Sequence, residues 1–212
     1  HLYGAITAMD EQIGRLRKLL KDLGKEENTI IFFCSDNGPD DGLFRKGVAS
    51  AGKLRGHKHQ MYEGGIHVPS LMVWKGKLKE GSVCPERVGT VDYLPTILDL
   101  LDLPAINDRP IDGVSMVPVL AGKPASKRTY PLAAGFMRLY DDLETYSLIE
   151  GDYKICIPVK RGKLEMYNLK KDPYETTDIS TKEPEIFNDL KEKLEAVKKS
   201  WLHSRDGGDY EW

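Results

Sequence analysis

An uncharged run of β-branched and aromatic residues constrains the fold of this chain more than any other feature. Thr29 to Cys34 reads T-I-I-F-F-C and stops abruptly at the polar run Ser35-Asp36-Asn37-Gly38. Such a run is typical of a buried strand, and ligands of an open parallel α/β sheet bind outside the carboxyl ends of its strands. The carboxylate of Asp36 and the amide oxygen of Asn37 are therefore candidate ligands for Ca²⁺ or Mg²⁺. The alternative is a simple turn, because Asn-Gly after a strand is the commonest hairpin signal.

The order of elements around this strand indicates an α/β fold. Apolar residues spaced by three and four from Leu2 to Leu23 predict a helix with one buried face. A short polar loop then leads into the strand, which is the helix, loop and strand order of α/β proteins. Residues 39–56 predict a long loop without regular periodicity, Ile66 to Val73 reads as a second strand, and Val91 to Leu101 reads as a short helix.

The C-terminal part of the chain has a different periodicity. From Tyr146 onward, short alternating runs are separated by the turns Glu150-Gly151-Asp152 and Lys160-Arg161-Gly162, which predicts an antiparallel meander. Glu183 to about His203 reads as a final helix with one apolar face. The meander and the helix together predict a small subdomain.

The composition excludes some classes of partner. With 31 basic and 33 acidic side chains, the net charge of -2 gives no electrostatic reason to expect nucleic acid or an anionic membrane as partner. No apolar run is long enough to span a bilayer. The chain opens with His1 already inside a helical pattern, without an initiating Met or a cap, so we expect the natural protein to begin earlier.

Lys58 and three histidines are further candidates for chemistry. Lys58, at the end of the long loop, can carry a positive charge toward Asp36 and Asn37, although a solvated loop lysine is the alternative. His57 and His59 alternate around it, but without a third ligand at suitable spacing we expect polar pocket contacts or exposure in preference to zinc. His67, on the apparent second strand, is expected to be half-buried and hydrogen-bonded.

The cysteines do not indicate a disulfide framework or a nucleophile. Cys34, Cys84 and Cys156 are an odd number at wide spacing, which suits neither a disulfide framework nor a Cys-x-x-Cys metal site. Cys34 lies in the apolar strand and is expected to be a small buried hydrophobe. Cys156 lies in the meander, so we interpret the sequence Cys156-Ile157-Pro158-Val159-Lys160 as a chance likeness to a nucleophile motif.

Several short motifs occur in one order along nearly the whole chain. They are Ser35-Asp36-Asn37-Gly38-Pro39, Leu54-Arg55-Gly56-His57-Lys58, Tyr62-Glu63-Gly64-Gly65, Asp92-Tyr93-Leu94-Pro95-Thr96 and Met166-Tyr167-Asn168-Leu169. This series closely resembles the second half of the sulfatase family, within the alkaline-phosphatase-like superfamily. The family usually has Arg at the position of His67 and often has Gly at the position of His59, so no family role is transferred to either histidine.

The resemblance implies a fold and a site. The fold would be part of an α/β sulfatase sandwich, in which residues 1–125 complete the core and residues 126–212 form a smaller C-terminal α+β subdomain, an antiparallel sheet plus a C-terminal helix. Asp36 and Asn37 would be two ligands of a single divalent cation, usually Ca²⁺, with Mg²⁺ as the alternative. Lys58 would contact the sulfate.

The resemblance also implies a mechanism that this chain cannot complete. In the family, a formylglycine hydrate made from Cys or Ser in a C-x-P-S-R-like motif attacks sulfur, while a metal and cationic side chains stabilise the charge on the sulfuryl oxygens. That motif is absent here, so we expect it in a missing N-terminal half of the same protein, and we expect this chain alone to be inactive. The substrate would be a sulfated small molecule or glycan, and family habit alone favours a periplasmic or extracellular location.

Two other functions stay open at this point. One is a non-catalytic binding module or remnant that keeps the sulfatase fold. The other is a related phosphoryl-transfer hydrolase with a Thr or Ser nucleophile and more than one metal, although the single Asp-Asn pair and the Lys58 region favour a sulfatase.

Overall fold

The computed structural model describes residues 1–105, 109–136 and 145–209. Its helices and strands, in chain order, are α1 Leu2–Asp22, β1 Ile31–Cys34, α2 Asp41–Arg45, α3 Glu63–Ile66, β2 Ser70–Val73, α4 Tyr93–Leu100, α5 Val117–Leu120, β3 Leu132–Phe136, β4 Thr145–Glu150, β5 Tyr153–Ile157, β6 Glu165–Asn168 and α6 Pro184–Arg205. Short 3-10 turns, Glu26–Asn28 and Thr90–Asp92, precede β1 and α4. The predicted α/β architecture is confirmed.

Strand β1 is paired antiparallel, whereas the sequence predicted a strand of a parallel sheet. β1 is antiparallel to β2, with Ile31 opposite Val73 and Cys34 opposite Ser70, and within the described residues no parallel strand lies beside β1. The predicted second strand was too long at its start, because Glu63–Ile66 folds as the helical turn α3 and the ladder begins only after Pro69. Proline has no N–H to donate to a ladder.

The predictions for the first helix and for the loop over residues 39–56 needed correction. The bounds of α1 agree with the sequence pattern, but no residue of α1 is buried by the described residues, and Ile6, Met9 and Leu16 are each close to half exposed. The apolar stripe is present on the helix, but none of the described residues buries it. The loop predicted over residues 39–56 contains α2, whose first turn is capped by Asp40, since Oδ1 accepts from Gly42 N at 2.9 Å.

The C-terminal meander and final helix are confirmed. Strands β3 to β6 form one antiparallel sheet in sequential order. The strand β3 was not predicted, because its sequence L-A-A-G-F is dominated by small residues with weak strand preference. Helix α6 packs Leu190 and Leu194 against the sheet, in a core with the buried side chains of Tyr146, Leu148, Ile155 and Met166.

A second buried cluster joins the loop region to this sheet. Met61 and Tyr62 pack with Cys156, Tyr167 and Leu169, so the chain segment that carries Lys58 lies against β5 and β6. A search of the described residues for an apolar helix of membrane-spanning length found none.

Candidate metal and sulfate site

The turn after β1 presents oxygen atoms at the end of the strand. Asn37 N donates to Asp36 Oδ1 at 3.0 Å, and Ser35 Oγ donates to the Asn37 carbonyl at 2.9 Å. Asn37 Nδ2 donates to the Gly38 carbonyl at 2.9 Å, which leaves the amide oxygen of Asn37 as the acceptor. Asp36 is exposed and Asn37 is half-buried. A carboxylate and an amide oxygen fit a hard cation such as Ca²⁺ or Mg²⁺.

The Asn-Gly pair is not the turn of a tight hairpin. The antiparallel partner of β1 is β2, which begins only at Ser70, so the segment after Asn37 runs through α2 and α3 before it returns. Ser35 N donates to Pro69 O at 3.1 Å and closes the end of the two-stranded ladder directly before Asp36.

Backbone hydrogen bonds bring Lys58 to this turn. Lys58 N donates to Pro39 O at 2.9 Å, and Gly38 N donates to Gly65 O at 2.8 Å. A Cβ at Gly38 would lie 1.9 Å from Gly64 O, so only glycine permits this close approach. The three predicted site residues, Asp36, Asn37 and Lys58, therefore lie in neighbouring loops, and their roles stay predictions.

The histidines beside Lys58 have defined contacts. His57 Nε2 lies 3.2 Å from Asp41 Oδ1, and its Nδ1 lies 3.0 Å from the Lys58 carbonyl, so both ring nitrogens face acceptors. His59 has a positive φ of 72° and stacks its ring against Phe136. Across residues 1–105, 109–136 and 145–209, no group of three or more His, Cys, Asp or Glu side chains is placed to hold a metal ion. A calcium shell needs six to eight oxygens, so Asp36 and Asn37 form only part of one.

A buried cluster of charges lies behind the Lys58 segment. Lys154 Nζ is 2.8 Å from Glu63 Oε1 and 2.9 Å from Glu175 Oε1, and Glu63 N donates to Glu175 Oε2 at 2.6 Å. His67 Nδ1 lies 2.9 Å from Glu63 Oε2. Burial opposes the ionisation of Glu63, but the bonds from His67 and Lys154 outweigh it and lower its pKa to about 2. For Glu175 burial prevails, and its pKa is raised.

Arg55 and Tyr62 make a second set of contacts to the same sheet. The Arg55 Cζ atom lies 3.9 Å above the centre of the Tyr62 ring, and Arg55 NH1 donates to Tyr167 Oη at 3.1 Å and to Glu175 O at 2.8 Å. Tyr62 Oη donates to Glu165 Oε2 at 3.0 Å. Burial and the Glu165 carboxylate raise the pKa of Tyr62, so its hydroxyl stays a donor.

Sequence reasoning missed these clusters. Glu63 and Arg55 entered the prediction only as parts of motifs, and Lys154 was not singled out. The available signal was the apolar surroundings of Lys154, since Tyr153, Ile155, Cys156 and Ile157 leave it alone in a strand that is apolar on both faces. A buried lysine requires carboxylate partners, but the sequence does not identify them.

The remaining predictions for individual residues have mixed outcomes. Cys156 is fully buried, and burial raises the pKa of its thiol to about 12, which makes it a poor nucleophile. Cys34 is half-buried instead of buried, because β1 has its ladder partner on one side. His67 follows α3 instead of lying on a strand, and its side chain is 64% exposed, although it is hydrogen-bonded as expected.

Comparison with known proteins identifies the family of this chain. The family model described as sulfatase matches residues 2–103, and the model described as N-sulphoglucosamine sulphohydrolase, C-terminal, matches residues 56–200. The chain belongs to the sulfatase family.

Its relatives are longer proteins. The chain is 30% identical over 211 residues to an arylsulfatase of Clostridium perfringens, covering 97% of this chain and 39% of the relative. It is 28% identical over 215 residues to an N-acetylgalactosamine-6-O-sulfatase of Bacteroides thetaiotaomicron, covering 91% of this chain and 41% of the relative. A solved structure of a protein in complex with its substrate D-glucosamine-2-N,6-O-disulfate matches at a TM-score of 0.71 and 26% identity, over 93% of this chain and 39% of that one. The chain therefore spans well under half the length of these relatives.

Proposed function

We propose that this chain is the C-terminal portion of a sulfatase that hydrolyses sulfate esters of saccharides. The observation that carries the proposal is the junction of two loops, in which Lys58 N donates to Pro39 O at 2.9 Å and Gly38 N donates to Gly65 O at 2.8 Å. These backbone hydrogen bonds join the segment of Lys58 to the loop that follows Asp36 and Asn37, which supports a shared site at the end of β1. A cation and an ammonium at one place suit the anionic sulfate group of an ester, whose negative charge is shared by its terminal oxygens.

Each residue of the junction has a role in the proposal. Asp36 and Asn37 hold a single divalent cation, Ca²⁺ or Mg²⁺, through their side-chain oxygens. Lys58 binds the sulfate and stabilises negative charge on its oxygens. When bound, the cation supplies further positive charge there, and a formylglycine hydrate from the rest of the protein supplies the nucleophilic oxygen. The remaining metal ligands and a general acid for the leaving alcohol also belong to that part.

The rest of the same protein is the proposed partner of α1. Ile6, Met9 and Leu16 are 48%, 45% and 49% exposed, although their spacing forms one apolar helix face. An apolar stripe of this kind is normally buried against another layer. The N-terminal part would cover this face and complete the metal site.

Likenesses to proteins that act on sulfated saccharides support a saccharide substrate, while the 30% identity to an arylsulfatase supports an aryl sulfate as the second substrate to test. One relative is an N-acetylgalactosamine-6-O-sulfatase, and the structurally similar protein binds D-glucosamine-2-N,6-O-disulfate. The longer of the two family matches is described as N-sulphoglucosamine sulphohydrolase. These three likenesses support a sulfated amino sugar as the first substrate to test.

The test compares the whole protein with this chain. We expect the whole protein to release sulfate from a 6-O-sulfated N-acetylhexosamine in the presence of Ca²⁺, and we expect this chain alone to release none. Lys58→Ala in the whole protein should lower kcat/KM by about 100-fold, the effect of removing one charge-stabilising group. Sulfate release by this chain alone would refute the proposal that the nucleophile lies in the rest of the protein. A whole protein that releases no sulfate from saccharide or aryl sulfates would refute the proposed sulfatase activity.

A further inference from the structure

We propose that the C-terminal sheet holds Lys58 in position at the candidate site. Arg55 makes the link between the sheet and the Lys58 segment. The role of Lys58 itself rests on the proposed function above. Arg55 is a positioning residue in this proposal, since the described contacts of its side chain are with Tyr62, Tyr167 and Glu175. The inference follows a path of contacts from β5 and β6, through the segment of residues 55–65, to the turn at Asp36.

The first step of the path fixes the start of the segment. Arg55 stacks on the Tyr62 ring with Cζ 3.9 Å from its centre, and its NH1 reaches both Tyr167 Oη at 3.1 Å and Glu175 O at 2.8 Å. A planar guanidinium can stack and donate at the same time, which a lysine ammonium cannot reproduce. Arg55 thus ties its own segment to β6 and to the chain beyond it.

The second step fixes the end of the segment. Glu63 binds Lys154 of β5 at 2.8 Å, and its backbone N donates to Glu175 at 2.6 Å. Lys154 is fully buried, so it holds its carboxylate partners firmly, because an unpaired charge there would be very costly. Met61 N adds a bond to Pro158 O at 2.9 Å.

The third step shows that the segment is closed on itself. Gly64 N donates to Arg55 O at 2.6 Å, which joins its two ends. A Cβ at Gly64 would lie 2.5 Å from Arg55 O, and a Cβ at Gly65 would lie 2.1 Å from Gln60 O. Lys58 therefore lies on a compact loop whose base is anchored to the sheet at Arg55 and Glu63.

The last step carries the position to the candidate site. Gly65 O accepts from Gly38 N, and Pro39 O accepts from Lys58 N. These two bonds fix Lys58 relative to the turn at Asp36 and Asn37 only while the segment keeps its place on the sheet. A displacement of about 1 Å in a catalytic group can cost about 100-fold in rate. Loss of the Arg55 contacts would therefore impair the site without opening the protein core, because Arg55 itself is exposed.

The experiment is a double-mutant cycle in the whole protein. Arg55→Ala is made with Lys58 present and in Lys58→Ala, and kcat/KM is measured for one sulfate ester. We expect a loss of about tenfold or more with Lys58 present and less than about twofold without it, because a residue that acts through Lys58 has no further effect once Lys58 is gone. Arg55→Lys should also lose activity, since it keeps the charge but not the planar group.

Arg87→Ala is the matched control. Arg87 NH1 donates to Gly151 O at 2.8 Å, so it also links the first part of the chain to the C-terminal sheet, but it lies outside the Lys58 segment. We expect less than about twofold loss in both backgrounds. Equal losses from Arg55→Ala in both backgrounds, or an Arg87→Ala loss as large as that of Arg55→Ala, would overturn the proposal.

Hydrogen exchange separates this proposal from the proposed function. In Arg55→Ala, but not in Arg87→Ala, the amides of Lys58 and Gly38 should exchange faster, because both hydrogen bonds join the turn at Asp36 to the segment that Arg55 anchors to the sheet. This measurement needs no activity, so it decides the case if the wild-type protein or Lys58→Ala proves inactive. Unchanged exchange at both amides would refute the positioning role.

Discussion

Glu63 shows how one residue couples two parts of the molecule. Its Oε1 faces Lys154 at 2.8 Å, and its Oε2 faces His67 at 2.9 Å. The bond to Glu63 raises the pKa of His67, against the effects of burial and of the nearby cations Lys154 and Arg87. His67 carries its positive charge only when it is protonated.

His67→Gln is predicted to destabilise the whole protein at acidic pH and not at alkaline pH. The folded-state pKa of His67 is raised above its unfolded value of about 6.5, so the stabilisation is fully present below that pH and is lost as the pH rises through the folded pKa. Thermal unfolding at pH 5 and pH 9 measures the difference. His67→Arg is the control, since its charge does not titrate in this range, and a His67→Gln effect of equal size at both pH values would contradict the prediction.

At the scale of elements, local periodicity determined what the sequence could predict. The meander β4 to β6, α4 and α6 were predicted because each carries its own repeat of two or of three and four residues. Asp36, Asn37 and Lys58 were proposed from the end of the apolar strand and from the resemblance of short motifs to the sulfatase family, and their roles stay predictions. The antiparallel pairing of β1 with β2 and the hydrogen bond from Arg55 to Tyr167 were not predictable, because they join residues that are far apart in the chain and leave no periodic signal.

The exposed apolar face of α1 is predicted to be buried in the whole protein. Leu16→Ser should change the free energy of unfolding of this chain by less than about 0.5 kcal/mol, because Leu16 is 49% exposed here. In the whole protein the same change should cost more than about 1 kcal/mol, since the N-terminal part would bury this face. Denaturant unfolding of both proteins measures the two values.

Leu194→Ala in α6 is the matched control for that comparison. Leu194 is 1% exposed and packs in the core of the C-terminal sheet, so its loss should cost about 2–5 kcal/mol in both proteins. A Leu16→Ser effect that is equally small in the whole protein would show that α1 stays uncovered, contrary to the proposed partner.

In the whole molecule, the C-terminal sheet anchors the loops that carry the candidate site. The C-terminal sheet is covered by α6 on one face and by the Lys58 segment on the other, and that segment in turn holds the turn at Asp36. Asp36 and Asn37 supply too few oxygens to complete a calcium shell. We propose that these two residues bind the cation of a sulfatase whose site is completed by the rest of the protein.

A Ca²⁺ titration of sulfate release by the whole protein tests whether Asp36 and Asn37 bind the cation. The metal is first removed with a chelator. Asp36→Ala should raise the Ca²⁺ concentration needed for half-maximal activity by at least about tenfold, because it removes a charged ligand. Asp40→Ala, an exposed carboxylate of the same loop that caps α2, should leave that concentration unchanged. An Asp36→Ala protein that responds to Ca²⁺ as the wild type does would contradict the assignment of this turn as the metal site.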